Sequence, residues 1–156
     1  MDKEIQYRAL TPEDIDQVRY YSNDRTLTNY MFTGIFPNKP FEIKPEDVVF
    51  GVALNTILGI VGLFNINWQA RHAELRIFLW KNQNNGIGTE ACKFIVDYAF
   101  NMLNLNKVWL GTNLSNAPAV KCYQSAGFDY VGTLKDEIFR NGQYYDVWRM
   151  ECYRQG

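Results

Sequence analysis

Gln83-Asn84-Asn85-Gly86-Ile87-Gly88, followed by Thr89-Glu90-Ala91, is the segment with the sharpest chemical meaning. Two glycines stand directly before a stretch of helical periodicity. Lacking a Cβ, Gly86 and Gly88 let the backbone turn tightly and approach a ligand closely. N–H groups in such a turn point into one concavity, and the positive end of the following helix adds to the field there. Phosphate or pyrophosphate suits such a place. A nucleoside-triphosphate loop would need lysine and then serine or threonine after the last glycine. Here Thr89-Glu90 follows, without the lysine. A dinucleotide fingerprint sometimes tolerates alanine at its third position, where Ala91 stands, but the preceding strands form a meander and no acid follows at the end of a second parallel strand.

Few other side chains are chemically suggestive. His72 is the only histidine, so a multi-histidine metal centre is excluded and no metal is expected. Cys92, Cys122 and Cys152 give neither a zinc spacing nor a paired disulfide framework. They fit reduced thiols in a cytoplasmic protein. A Cys122 nucleophile would need an activating base, and His72 lies on another element. The formal net charge of −1 argues against a nucleic-acid binder or a polybasic membrane module. No apolar run approaches the roughly 20 residues of a membrane span. The opening Met1-Asp2-Lys3-Glu4 lacks the apolar core of a signal peptide. With 156 residues and 47% hydrophobic content, the chain fits one domain, 1–156, with a sizeable core.

The elements that must position these groups follow from periodicity. Ile5 to Ala9 reads as a short strand. Thr11-Pro12-Glu13-Asp14 starts a helix, with a hydroxyl cap, proline at the first helical position and acids on the positive end. Asn23 to Tyr30 reads as a second short helix, and Thr33 to Pro45 as a loop. Val48 to Ala53, Ile57 to Asn67 and His72 to Trp80 form an antiparallel meander, turning at Asn55-Thr56 and at Trp68 to Arg71. Gly59 and Gly62 inside the second run point to close backbone approach or a bulge. Thr89 to Leu103 is an amphipathic helix, with Ala91, Phe94, Ile95, Tyr98, Ala99 and Met102 on one face. Lys107 to Leu110, running on to Leu114, is a buried strand. Ala117 to Ser125 is a short helix ended by Gly127. Val131 to Phe139 and Tyr144 to Cys152 are strands joined at Asn141-Gly142, a hairpin signal. The strand–helix–strand unit in the middle requires two parallel strands. The class is therefore α+β with a mixed sheet.

Several of these segments together resemble one family. Gln83-x-x-Gly86-x-Gly88 is similar to the Q/R-x-x-G-x-G/A pyrophosphate loop of the GNAT acetyltransferases. Asn116-x-x-Ala119, Tyr123 and Gly127-Phe128 resemble the family's later N-x-x-A-x-x-x-Y-x-x-x-G-F segment. Gly132-Thr133-Leu134 and Arg140 to Asp146, on to Met150, resemble the RimL-type branch. Within that branch the run from Ala73-Glu74 to Met150 most resembles bacterial spermidine/spermine N-acetyltransferases. The likeness is good over the last half of the chain and holds only in outline over the first 70 residues.

The resemblance implies a mostly antiparallel mixed sheet flanked by helices, with a central β-α-β unit that binds acetyl-CoA as co-substrate. It implies that the strand before the loop splays from the next parallel strand, so that the pantetheine arm pairs with backbone near Ile77, Phe78 and Leu79. The amides of Asn84, Asn85, Gly86, Ile87, Gly88 and Thr89 would cradle the pyrophosphate. Asn116 would bond the pantetheine or hold the splay, or simply cap the helix that carries Ala119. Tyr123 would be the general acid, since a phenol can hydrogen-bond the thioester sulfur and protonate a departing thiolate. Glu74 would be the base, directly or through water. Its alternative is a simple cross-strand pair on a wet face, because alternation puts His72, Glu74 and Arg76 on one side of the strand and Leu75 and Ile77 on the other. Phe139, Tyr144, Tyr145 and Trp148 are expected to serve the core or a subunit contact, and relatives commonly form homodimers. Asn29 to Pro40 has one lysine and no acid, unlike polyamine-acetylating relatives. The acceptor stays open between a protein or peptide N-terminus, a polyamine, an amino sugar and an antibiotic amine. The competing reading is a non-catalytic module that keeps the CoA site but senses a ligand or holds a partner.

Overall fold

The computed structural model describes residues 4–22, 42–81, 86–113, 117–140 and 142–155. The order is β1 (Gln6–Arg8), α1 (Pro12–Ser22), β2 (Val48–Leu54), β3 (Thr56–Asn67), β4 (His72–Leu79), α2 (Ile87–Asp97), a π-helical turn (Tyr98–Met102), β5 (Lys107–Thr112), α3 (Ala117–Ser125), β6 (Asp129–Arg140) and β7 (Gln143–Tyr153). The strands form one sheet in the order β1-β2-β3-β4-β5-β7-β6. Every neighbouring pair is antiparallel except β4–β5. The mixed, mostly antiparallel α+β class expected from the sequence is what is found. The second helix expected at Asn23 to Tyr30, most of the Thr33 to Pro45 loop, Asn84, Asn85 and Asn116 lie outside the described residues.

α1 begins as its residues dictate. Thr11 Oγ1 accepts from the Asp14 N–H at 3.2 Å, while Asp14 Oδ2 accepts from the Thr11 N–H at 2.9 Å. This is a capping box with aspartate in the usual glutamate position. Asp14 is 4% exposed and also takes both Arg8 guanidinium nitrogens, at 2.5 and 3.2 Å, which ties β1 to α1. The Arg8 hydrogen bond holds the Asp14 carboxyl below its ordinary value, outweighing burial, with Thr11 adding to the effect. A depressed carboxyl stabilises the fold fully above the unfolded pKa of about 3.9, and that gain fades as pH falls through the folded value. Asp14→Asn is therefore expected to lower the melting temperature at pH 7. The gap to wild type should close as pH drops below about 4, as thermal melts across pH would record.

The core lies mainly between the sheet and α2. Leu63, Ala73, Leu75, Val108, Leu110 and Met150 from the strands meet Ala91, Cys92, Ile95 and Ala99. A second cluster on the opposite face packs Val18 of α1 on Ile57, Ile60, Phe78 and Trp80. The two clusters settle the faces of β4. Ala73, Leu75, Ile77 and Leu79 face α2; Phe78 faces α1, as do its alternation partners Arg76 and Glu74.

The long helix differs from the sequence expectation at both ends. It starts at Ile87, two residues early, and passes into a π turn at Tyr98, where the Leu103 N–H reaches the Tyr98 carbonyl at 3.2 Å. The wider turn accompanies an aromatic cluster: Phe50 lies 5.1 Å from Phe94 and 5.0 Å from Tyr98, edge to face. A period of 3.6 cannot register such a turn. β5 ends at Thr112, short of the expected Leu114. Phe139 and Tyr144 are 62% and 65% exposed, so they do not serve the core, the first of the two roles expected for them.

Gly59 shows close approach in its strictest form. It pairs with Leu79, and a Cβ on it would stand 2.2 Å from the Phe78 carbonyl oxygen and 2.7 Å from Leu79 Cα. Backbone cannot yield as a side-chain tip does. Gly59→Ala is expected to cost about 1–3 kcal/mol as overpacking, a melting temperature lower by about 3–10 °C, with the C-terminal end of β4 displaced from β3.

Candidate active site

The parallel ladder between β4 and β5 holds only three pairs: His72–Lys107, Ala73–Val108 and Glu74–Trp109. Both strands continue, β4 to Leu79 and β5 to Thr112, each still paired on its outer side. Beyond Glu74 the sheet is therefore split down its middle, and β4 turns a backbone edge into the split. That edge leads directly to α2.

The N-terminus of α2 is built differently from that of α1. Gly86 sits at its cap with φ 77°, and among the described residues no side chain caps the helix. The first backbone bond into the helix is Glu90 N–H to the Gly86 carbonyl, at 3.2 Å. The N–H groups of Ile87, Gly88 and Thr89 precede any possible intrahelical partner. Among the described residues nothing lies within 4 Å of where a Cβ on Gly86 would stand. α1 closes its end with its own side chains; the first-turn N–H groups and positive pole of α2 suit an anion. The pyrophosphate of acetyl-CoA fits these residues. When bound, acetyl-CoA supplies the acetyl thioester and a thiolate leaving group.

α3 closes the same corner. A Cβ on Gly88 would lie 3.6 Å from Cys122 Sγ and 3.7 Å from Leu79 Cδ1, so the first turn of α2, the end of β4 and the middle of α3 meet there. α3 ends in a Schellman turn. The Phe128 N–H bonds the Tyr123 carbonyl and the Gly127 N–H the Gln124 carbonyl, both at 3.0 Å, with φ 101° at Gly127. The hydrophobic contact of that motif is made by Phe128 against the Tyr123 ring, edge to face at 6.2 Å. Tyr123 is thus fixed by both backbone and ring. Burial raises its phenol well above the ordinary tyrosine value, with the Cys92 and Cys122 thiols adding to the shift. The proton stays on the oxygen at any working pH. Ala119, one turn before Tyr123, shares its face.

Cys92 is fully buried, and its thiol is pushed up to about 12 by burial, with Cys122 contributing. His72 stands at the start of β4, whereas Cys122 packs at its Leu79 end. Seven residue steps along the strand separate its two ends, roughly 23 Å. The single imidazole cannot activate Cys122. Among the described residues no cluster of His, Cys, Asp and Glu is arranged to hold a metal.

Glu74 lies on the other face of the split from Tyr123. Its Oε1 accepts from Arg76 Nη2 and from Asn65 Nδ2, both at 2.8 Å. The sequence treated Arg76 only as a strand neighbour and missed Asn65 altogether. Asn65 sits in a bulge of β3 with φ 51°, where pairing shifts between Phe64 and Asn67. Bulges of this kind re-aim side chains beside sites. The signal available was an asparagine, a residue enriched at positive φ, inside an apolar strand. Trp109, opposite Glu74, was also missed. Arg149 stacks on its ring at 4.1 Å and donates to Glu151 Oε2 at 3.1 Å. Burial would raise the Glu151 carboxyl, but hydrogen bonds from Tyr153 and Arg149 and the charge of Lys107 hold it below the ordinary range.

Comparison with known proteins agrees with this architecture. A family model described as an acetyltransferase (GNAT) domain matches residues 7–148. The chain is 40% identical over 161 residues to the spermidine N(1)-acetyltransferase of Escherichia coli K12, covering 94% of this chain and 84% of that one. It is 31% identical over 161 residues to the enzyme of the same name from Vibrio cholerae, covering 96% and 93%. A crystal structure of the spermidine N-acetyltransferase from Vibrio cholerae, in complex with CoA and spermine, superposes with a TM-score of 0.85 at 29% identity, covering 97% of this chain and 96% of that chain. The likeness thus runs through the N-terminal half as well as the C-terminal half that the motifs had pointed to. The chain belongs to the GNAT acetyltransferases, and it is an acetyl-CoA-dependent N-acetyltransferase acting on an amine.

Proposed function

We propose that the acceptor is a polyamine such as spermidine, acetylated by direct transfer within one domain spanning 1–156, and that the protein is a cytoplasmic member of the RimL-type branch. The observation that carries the site assignment is the split between β4 and β5, running from Glu74 to the N-terminus of α2. The names of the relatives supply the acceptor class. Glu74 supports it, because a carboxylate with an aromatic neighbour suits an ammonium.

The residues divide the work as follows. The backbone N–H groups from Asn84 to Thr89 hold the pyrophosphate. The β4 edge at Ile77, Phe78 and Leu79 pairs with the pantetheine arm, to which Asn116 and Ala119 also contribute. Glu74 takes a proton from the acceptor's ammonium, directly or through water, and so frees the nitrogen lone pair to attack the thioester carbon. As the carbon–sulfur bond breaks, Tyr123 donates its proton to the sulfur, and the surplus proton of the newly acylated nitrogen passes to the Tyr123 oxygen, directly or through water. Tyr123 and Glu74 approach the split from opposite faces, which keeps the acid and the base apart.

The same reading includes a homodimer, with Tyr130, Val131, Leu134, Phe139 and Tyr144 of the exposed hairpin as its contact. The acceptor is tested by incubating the protein with acetyl-CoA and a panel of spermidine, peptides with free N-termini, amino sugars and aminoglycosides. Free thiol and product mass are then followed. Spermidine should be the preferred acceptor; preference for a peptide or a sugar amine would overturn the assignment.

A further inference from the structure

Phe64 and Glu74 are partners across the β3–β4 ladder and project from the same face. A carboxylate beside an aromatic ring is a cation site. The Asn65 amide fixes the carboxylate by donating to Glu74 Oε1 at 2.8 Å. A cation of the chain itself fills this site. Arg76, two residues on from Glu74 and so on the same face, places Nη2 2.8 Å from Glu74 Oε1 and its guanidinium carbon 4.9 Å from the centre of the Phe64 ring. The location matters as much as the contacts. Glu74 is the last β4 residue paired to β5, and Arg76 lies at the mouth of the split.

We infer that Arg76 is a specificity-determining residue: its guanidinium occupies the place of the acceptor's ammonium against Glu74 and Phe64, and a cationic acceptor must displace it. The inference rests on the polyamine reading above. The Arg76 and Glu74 side chains are 33% and 16% exposed, so water and a competing cation can reach the pair. The Arg76 end of this part-buried pair reaches solvent, so exchange is feasible. A primary ammonium can take over both contacts, whereas a neutral or anionic acceptor gains nothing from the carboxylate. The planar guanidinium suits the dual contact, stacking on the ring while bonding the carboxylate. Arg76 thereby sets how strongly charged an acceptor must be before it wins Glu74. Binding is weakened by the fraction of molecules in which the site is occupied from within.

The test is a calorimetric titration of spermidine into the CoA-bound protein, for wild type, Arg76→Gln and Arg76→Lys, with acetylation rates measured alongside. With the internal cation removed, Arg76→Gln should bind spermidine about ten-fold more tightly, as expected when a nine-tenths-occupied site is freed, and its KM should fall with it. Arg76→Lys, which keeps a cation there, should stay near wild type. CoA binding by each variant reports on folding, and Arg76→Ala serves if Arg76→Gln fails that check. Equal or weaker spermidine binding by the charge-removed variant, or no binding by either protein, overturns the inference. Tighter binding without acetylation supports the role of Arg76 and removes spermidine as the substrate. Acetylation with no gain on charge removal does the reverse.

Discussion

Tyr123→Phe is expected to lower kcat by about 10- to 1,000-fold, within reach of what a positioned general acid contributes, while acetyl-CoA binds as in wild type. The substitution removes one oxygen and leaves the rest of the corner intact. The Phe128 N–H bonds the Tyr123 carbonyl, not the phenol, and the ring contact with Phe128 needs no hydroxyl. A loss of turnover in this variant is thus a loss of the proton donor rather than of α3. Because burial keeps the wild-type phenol protonated far into the alkaline range, the rate should show no limb near pH 10 that belongs to Tyr123. Single-turnover rates and calorimetric affinities of the two proteins, measured together, decide the matter. Unchanged turnover would take Tyr123 out of the mechanism.

Gly86→Asp is expected to abolish measurable acetyl-CoA binding. Two effects act in the same direction. The backbone at Gly86 has φ 77°, which an L side chain adopts only under strain. The carboxylate would also stand beside the first turn of α2. There it would cap the donors of Ile87, Gly88 and Thr89 and oppose a pyrophosphate with like charge. The strain at φ 77° lowers the melting temperature by itself, and the new carboxylate at the helix end offsets part of that loss, so binding should fall far more than stability does. Calorimetry and a thermal melt on one sample separate the two. Normal binding would mean that this helix end does not hold the pyrophosphate.

Where local chemistry decides structure, the sequence was legible. Thr11 and Asp14 predicted the cap of α1, the Ala117–Ser125 helix was placed with its observed ends, and Gly59 signalled a contact no Cβ could survive. Alternation placed Glu74 and Arg76 together on one face. What stayed hidden depends on tertiary packing. The π turn at Tyr98 follows no local period and accompanies the Phe50 contacts. The bulge at Asn65 arises between two strands, and only there does its amide reach Glu74. The buried Glu151 needs Lys107, Arg149 and Tyr153, and Lys107 comes from a different strand. The split after Glu74 and Trp109 is likewise a property of two strands and could be expected only from family resemblance.

Acetyl-CoA is proposed to bind where the split meets the N-terminus of α2. The most direct test is a calorimetric titration of the purified protein with acetyl-CoA, with ATP and NAD as controls. Saturable binding of acetyl-CoA in the micromolar range is expected, with neither control matching it. Failure to bind acetyl-CoA, or equal binding of ATP, would contradict that assignment.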